Sequence, residues 1–150
     1  MNTSLYVEGR KQRNKKAMEE SSITKDNDKV CALAPVAYAP VRHHVFICNG
    51  KSCALVGSTE VKEAFRRELI ARNLLFGKPA KGGHLKGSVL VTDCSSVGLC
   101  AVGAAVLVYP DGVWYAQVRP EDVLLIVEDH IVNGRIVERL ALLKVPSEGA

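Results

Sequence analysis

Four of the five cysteines in this chain come as two pairs: Cys48 and Cys53 with four residues between them, and Cys94 and Cys100 with five. Each pair follows a short apolar stretch, residues 44–48 and 88–92, that reads as a strand. Loops leaving one end of a sheet can converge, so this pattern allows four thiols to meet on one centre. The amino end carries no hydrophobic signal core, and a cytoplasmic, reducing setting is expected. There, clustered cysteines read as metal-binding or catalytic more readily than as disulfides, and the odd total argues the same way.

Soft thiolates suit iron–sulfur chemistry, and a cluster also needs backbone that wraps closely around inorganic sulfide. Gly50, Gly98 and Gly103 supply that freedom, and neighbouring amides can hydrogen-bond the sulfurs. By spacing alone two rivals stay open. Free cysteines are often small buried hydrophobes, and zinc also accepts four cysteines, although these gaps are looser than its usual knuckles. A thiol–disulfide enzyme would want Cys-x-x-Cys at a helix start, which this sequence lacks.

The rest of the pattern supplies a scaffold. Residues 58–75 read as a helix with Ser58 as its cap, Val61, Ala64, Phe65 and Leu69 on one face, and the pairs Glu63–Arg67 and Glu68–Arg72 on the wet side. Residues 76–87 are a glycine-rich loop. Residues 104–109 and 113–118 flank Pro110-Asp-Gly112, a hairpin signal. Pro120 then opens a second helix buried through Val123, Ile126, Val127 and Ile131, and Asn133-Gly134 stops it. The order β, α, β, β-hairpin, α predicts a sheet with helices packed on it, of the α/β or α+β class.

Residues 1–41 differ in kind, with a basic run (Lys11, Arg13, Lys15, Lys16) and then a Pro/Ala-rich stretch through Pro40. They read as a flexible extension before a compact domain at 42–150, and five acids before position 30 oppose an organelle-targeting peptide. Cys31 reads as an uninvolved thiol there. A net charge of +4 with few aromatics gives little support for nucleic-acid binding. No apolar run approaches the roughly 18 residues of a membrane span.

Several segments together carry a resemblance: His44-Val-Phe-Ile-Cys-Asn-Gly-Lys-Ser-Cys53, Val97-Gly-Leu-Cys100, Val108-Tyr-Pro-Asp-Gly-Val-Trp-Tyr115 and Arg119-Pro-Glu-Asp-Val123. From about residue 43 to 143 the chain resembles the thioredoxin-like 2Fe–2S ferredoxins and, more distantly, the cluster-bearing small subunit of NADH dehydrogenase. That resemblance implies a thioredoxin-like sheet with two main helices, a 2Fe–2S cluster, one-electron carriage to redox protein partners and often a homodimer. Cys48, Cys53 and Cys100 match family ligands. Where the family has Cys-x-x-x-Cys, however, Ser96 stands four residues before Cys100, and Cys94 lies two residues earlier still.

Either Cys94 shifts into the site or Ser96 ligates through oxygen; the softer thiolate makes Cys94 the favoured donor. Gly103-Ala104, where relatives commonly carry Gly-Pro, is a second departure. With no acid–base pair or nucleotide motif legible, the chain reads as an electron carrier, or as an accessory subunit of a redox enzyme, and not as an enzyme itself. The alternative is an interaction module that binds zinc or has lost its cluster. His43 and His44, adjacent on a strand, face opposite sides and cannot share one metal. His84 falls in the glycine loop, and His130 reads as a helix-end charge. Trp114 and Tyr115 read as core or dimer contacts.

Overall fold

Alternation along β1 (His43–Cys48) decides how the chain lies on its core. Val45 and Ile47 are fully buried, whereas His44 and Phe46 on the other face are half-buried. The computed structural model describes residues 32–146, and within them Ala39–Pro146 forms one compact unit. The basic run and Cys31 lie outside the described residues. In the preceding unit, Pro35–Tyr38 makes one 3-10 turn.

Five strands form a mixed sheet in the order β2-β1-β3-β4-β5, with β2 at Val89–Cys94, β3 at Val106–Tyr109, β4 at Val113–Tyr115 and β5 at Ala141–Lys144. β1 and β2 run parallel and the other neighbours antiparallel. A parallel pair requires a crossover, and here it is helical: α1 (Lys51–Leu55) and α2 (Ser58–Ala71). Val61, Ala64, Phe65 and Leu69 bury the expected face of α2 against Val45, Ile47, Val106 and Val108. α3 (Pro120–Leu125) continues as a π-helical segment, Ile126–Val132, and adds Val123, Ile126 and Val127 to the same core. The fold is of the α/β type that the order of elements predicts.

α2 ends at Ala71, earlier than its pattern suggests. Asn73 takes a left-handed φ of 55°, which asparagine tolerates, and the chain turns there so that Leu75 pairs beside Val89. Gly57, not Ser58, holds the amino-terminal cap position. Ser58 is the first helical residue and donates its hydroxyl to Asn49 Oδ1 at 2.9 Å. Of the two expected ion pairs, Glu68–Arg72 forms at 2.8 Å; Arg67 instead approaches Glu68 at 3.7 Å. Arg72 also pairs with Glu128, tying α2 to the π-helical segment.

The β3–β4 hairpin forms as expected, with Gly112 at φ 66° in its turn. Pro120 occupies the first turn of α3, Asp122 caps the Arg119 N–H at 2.9 Å, and Asn133 closes the π-helical segment. Two elements escape the sequence pattern. α1 has only five residues and no amphipathic period, and β5 is an edge strand whose Leu142 and Leu143 stay exposed.

Phe65→Ala opens a cavity where α2 meets the sheet and should destabilise the protein by about 3–5 kcal/mol in equilibrium urea unfolding. A loss under about 1 kcal/mol would mean that α2 is not seated as described.

Candidate metal centre

Register brings the first two cysteines together. Cys48 and Cys94 are the last residues of β1 and β2 and stand directly opposite each other in the parallel ladder. The Asn49 N–H donates to Cys94 O at 2.7 Å, so both chains leave the sheet at one level. α1 turns Cys53 back into that corner, and Cys100 enters from the other loop as it begins a short 3-10 turn, Cys100–Val102. Cys48, Cys53 and Ala105 form a small buried cluster apart from the main core, with Val97, Leu99 and Cys100 against it.

Cys48 Sγ and Cys100 Sγ are 3.9 Å apart. Two thiolates bound at about 2.3 Å to one tetrahedral metal stand roughly 3.8 Å apart, so this spacing fits shared ligation. Ser96 Oγ lies 3.1 Å from Cys100 Sγ and accepts the Gly98 N–H at 3.1 Å. Cys94 Sγ is directed at backbone oxygens, Ile47 O at 3.7 Å and Ser96 O at 3.9 Å.

Crowding sets the acidity of these thiols. Burial would raise the Cys48 thiol, yet backbone groups at Gly50 and Val97 and the thiols of Cys53 and Cys100 bring it below its ordinary value. Burial, then the neighbouring Cys48 thiol, pushes Cys53 up to about 11. Cys94 is also raised, by burial and then by the negative charge of Cys48 and Asp93. One thiol therefore ionises readily and opposes ionisation of the next. A cation reverses that opposition, because coordination replaces the thiol protons. The donor set fits a positively charged, sulfur-seeking centre.

Two glycines let the loops close around the cysteines. A Cβ at Gly103 would lie 2.4 Å from Cys53 Sγ, and one at Gly50 would lie 2.3 Å from Ser95 O. The two loops meet across these glycines. The Gly103–Ala104 peptide, where the sequence departs from the family pattern, is cis. Trp114 braces the second loop from β4: its indole Nε1–H donates to Val97 O at 2.8 Å. The sequence offers core or dimer contact for Trp114 and Tyr115. Tyr115 is core, whereas Trp114 supports the cysteine loop, a role that no local pattern signals. The resemblance implies Cys48, Cys53 and Cys100, and the structure brings these three together.

Paired cysteine loops at the carboxyl ends of β1 and β2, under helices on one face of a mixed sheet, define a thioredoxin-like protein built around a thiolate centre. No family model matches the chain. A "Ferredoxin, 2Fe-2S" from Clostridium pasteurianum is 38% identical over 109 residues, covering 67% of this chain and 96% of that protein. The structure of a thioredoxin-like [2Fe-2S] ferredoxin from Aquifex aeolicus matches with a TM-score of 0.57 and 36% identity, over 73% of this chain and 98% of that one. A cysteine-to-serine variant of that ferredoxin matches at 0.56 and 39% identity, over 69% of this chain and 100% of that one. The chain belongs to the thioredoxin-like 2Fe–2S ferredoxin family. Among the described residues no helix is long and apolar enough to cross a membrane.

Trp114→Phe should lower stability by about 1 kcal/mol through loss of its hydrogen bond. Hydrogen exchange should quicken at the amides of residues 95–99 and not in α2. Equal quickening in both regions would show that Trp114 serves the whole fold instead of this loop.

Proposed function

We propose that this chain is a one-electron carrier that holds a 2Fe–2S cluster at the corner formed by Cys48, Cys53 and Cys100, with Ser96 Oγ as the fourth donor. The observation that carries this reading is the 3.9 Å approach of Cys48 and Cys100, thiols from two loops, beside the fully buried Cys53. When bound, the cluster supplies a single-electron redox couple. The chain's own contribution is positional. Backbone groups at Gly50, Val97 and Ala105 face the sulfurs and favour their anionic form. Val97 and Leu99 keep water from one side, while Cys100 stays partly open, so an electron can pass to a docked redox protein.

Position and softness oppose each other at the fourth donor. Sulfur is the better ligand for iron, which favours Cys94. Position favours Ser96, whose oxygen already borders Cys100 and takes a hydrogen bond from Gly98 suited to a deprotonated ligand. Serine in place of one cysteine is compatible with this fold, since a similar structure is of such a variant.

Anaerobically purified protein should be red-brown with about two irons and two sulfides per chain. Cys48→Ala should abolish that colour. Ser96→Ala should cut iron content to less than about half, and Cys94→Ala should leave it near the wild-type level. The opposite response of the last two variants would transfer the ligand role to Cys94. Colourless, metal-free wild type, or one zinc in place of iron, would overturn the carrier reading.

The working form we propose is a homodimer. Opposite the helices, Thr92, Phe46, Leu107, Trp114 and Leu143 lie in one row across all five strands, and none of them is fully covered. A second copy would bury this face. Leu107→Glu should shift the mass seen by light scattering from dimer to monomer, and a monomeric wild type would sink the idea. Free thiols at Cys48, Cys53, Cys94 and Cys100 support a cytoplasmic setting. Residues 1–41 are proposed as an extension outside the 42–150 domain.

A further inference from the structure

At the opposite end of β1 from the cysteines, three side chains from three separate elements converge. His43 opens β1, Asp111 sits in the β3–β4 turn, and His130 lies in the π-helical segment. His130 Nε2 is 2.6 Å from Asp111 Oδ2, and His43 Nε2 is 3.3 Å from the same oxygen. The three donor atoms all lie within 4.8 Å of one another. His43 and His44, neighbours on one strand, do face opposite ways. The partner of His43 comes instead from a helix 87 residues further along, and sequence spacing gives no sign of it.

We propose that His43, Asp111 and His130 form a binding site for a divalent ion of the zinc class, with water as the fourth ligand. Two imidazole nitrogens and one carboxylate oxygen suit zinc better than magnesium or calcium, which prefer all-oxygen sites. Donors bound at about 2.0–2.1 Å to tetrahedral zinc stand roughly 3.3 Å apart. The His43–Asp111 pair already has that spacing, the closer His130–Asp111 pair has to open, and the two imidazole nitrogens, which lie within 4.8 Å of each other, have to draw together. Asp111 has the freedom to move, because its side chain is 40% exposed whereas that of His130 is 1% exposed. The two imidazoles, His130 foremost, hold the Asp111 carboxyl well below the usual carboxylate range, so it offers an anionic oxygen.

A second layer orients the buried ligand. His130 Nδ1 is 2.7 Å from Tyr115 Oη, and the Val137 N–H donates to that oxygen at 3.1 Å. Without an ion, Tyr115 O–H donates to Nδ1, Nε2–H donates to Asp111, and every group is paired. Ligation through Nε2 places the ring proton on Nδ1, and Tyr115 Oη becomes its acceptor. Metal-bound histidines are characteristically braced by an oxygen in this way. The ion would clasp the start of β1, the hairpin turn and the last helix. Five residues of strand, roughly 16 Å, separate it from Cys48, so its occupancy is measurable independently of the cysteine centre.

The test uses cluster-loaded full-length protein, freed of loosely held metal by a mild chelator and titrated with zinc chloride in a calorimeter. Visible absorbance is followed in parallel. The expected result is one zinc per chain with unchanged absorbance, an affinity at least about tenfold weaker in both Asp111→Asn and His43→Ala, and a zinc-dependent rise in Tm confined to wild type. The side chains of Asp111 and His43 are 40% and 16% exposed, so both variants avoid the fully buried His130, whose loss would endanger folding. No uptake, uptake unchanged in both variants, or uptake that bleaches the visible spectrum would overturn the proposal. The last outcome would place the zinc on the cysteines.

Discussion

Everything at the cysteine corner depends on the parallel pairing of β1 with β2. Because the two strands run in register from His43 opposite Val89 to Cys48 opposite Cys94, both loops leave the sheet at the same height and at the same end. A slip of one residue would turn Val45 and Ile47 out of the core and carry Cys48 to the other face. The register is therefore held by the burial of those two side chains under α2, on the strand that ends in Cys48. Hydrophobic packing along β1 fixes the position of the sulfur at its end.

Once the loops are delivered there, electrostatics and sterics decide what the corner can hold. Burial, and then the neighbouring thiols, make Cys53 and Cys94 harder to ionise, beside a Cys48 whose pKa is lowered. Such an arrangement is costly in an empty pocket and favourable around a cation, which suits a ligand set better than a cluster of small hydrophobes. The glycine contacts act in the same direction. With Gly103 against Cys53 and Gly50 against Ser95, side chains are excluded from the places where the loops must close.

Much of this was legible in the sequence, and the reasons for the gaps are physical. The buried faces of α2 and α3, the hairpin at Gly112 and the strand leading to Cys48 follow from periodicity and turn chemistry, which act over a few residues. α1 and β5 do not, because five residues without a period, and an edge strand with exposed leucines, take their form from tertiary contacts. The helix boundary at Asn73 is set by the pairing of Leu75 with Val89, a partner far along the chain. His130 shows the same limit. It reads as a charge at a helix end, yet it is buried and bonded to Tyr115 and Asp111 from a different part of the sheet. At the cysteines, spacing admits Cys94 and Ser96 alike, and only the direction of each side chain separates them.

That direction has a cause. Cys94 is still part of β2, held by the ladder opposite Cys48, whereas Ser96 has left the sheet and belongs to the loop that Trp114 anchors through Val97. A strand residue can turn only its side chain, while a loop residue can bring its backbone with it. Bringing Cys94 Sγ to the centre would mean turning it away from Ile47 O and Ser96 O, on a backbone fixed by the last pair of the β1–β2 ladder and by the Asn49 N–H to Cys94 O bond. Ser96 as the donor needs no such turn and costs the softer ligand. The register that assembles the corner is thus also what keeps the fifth residue of the constellation, Cys94, at its edge.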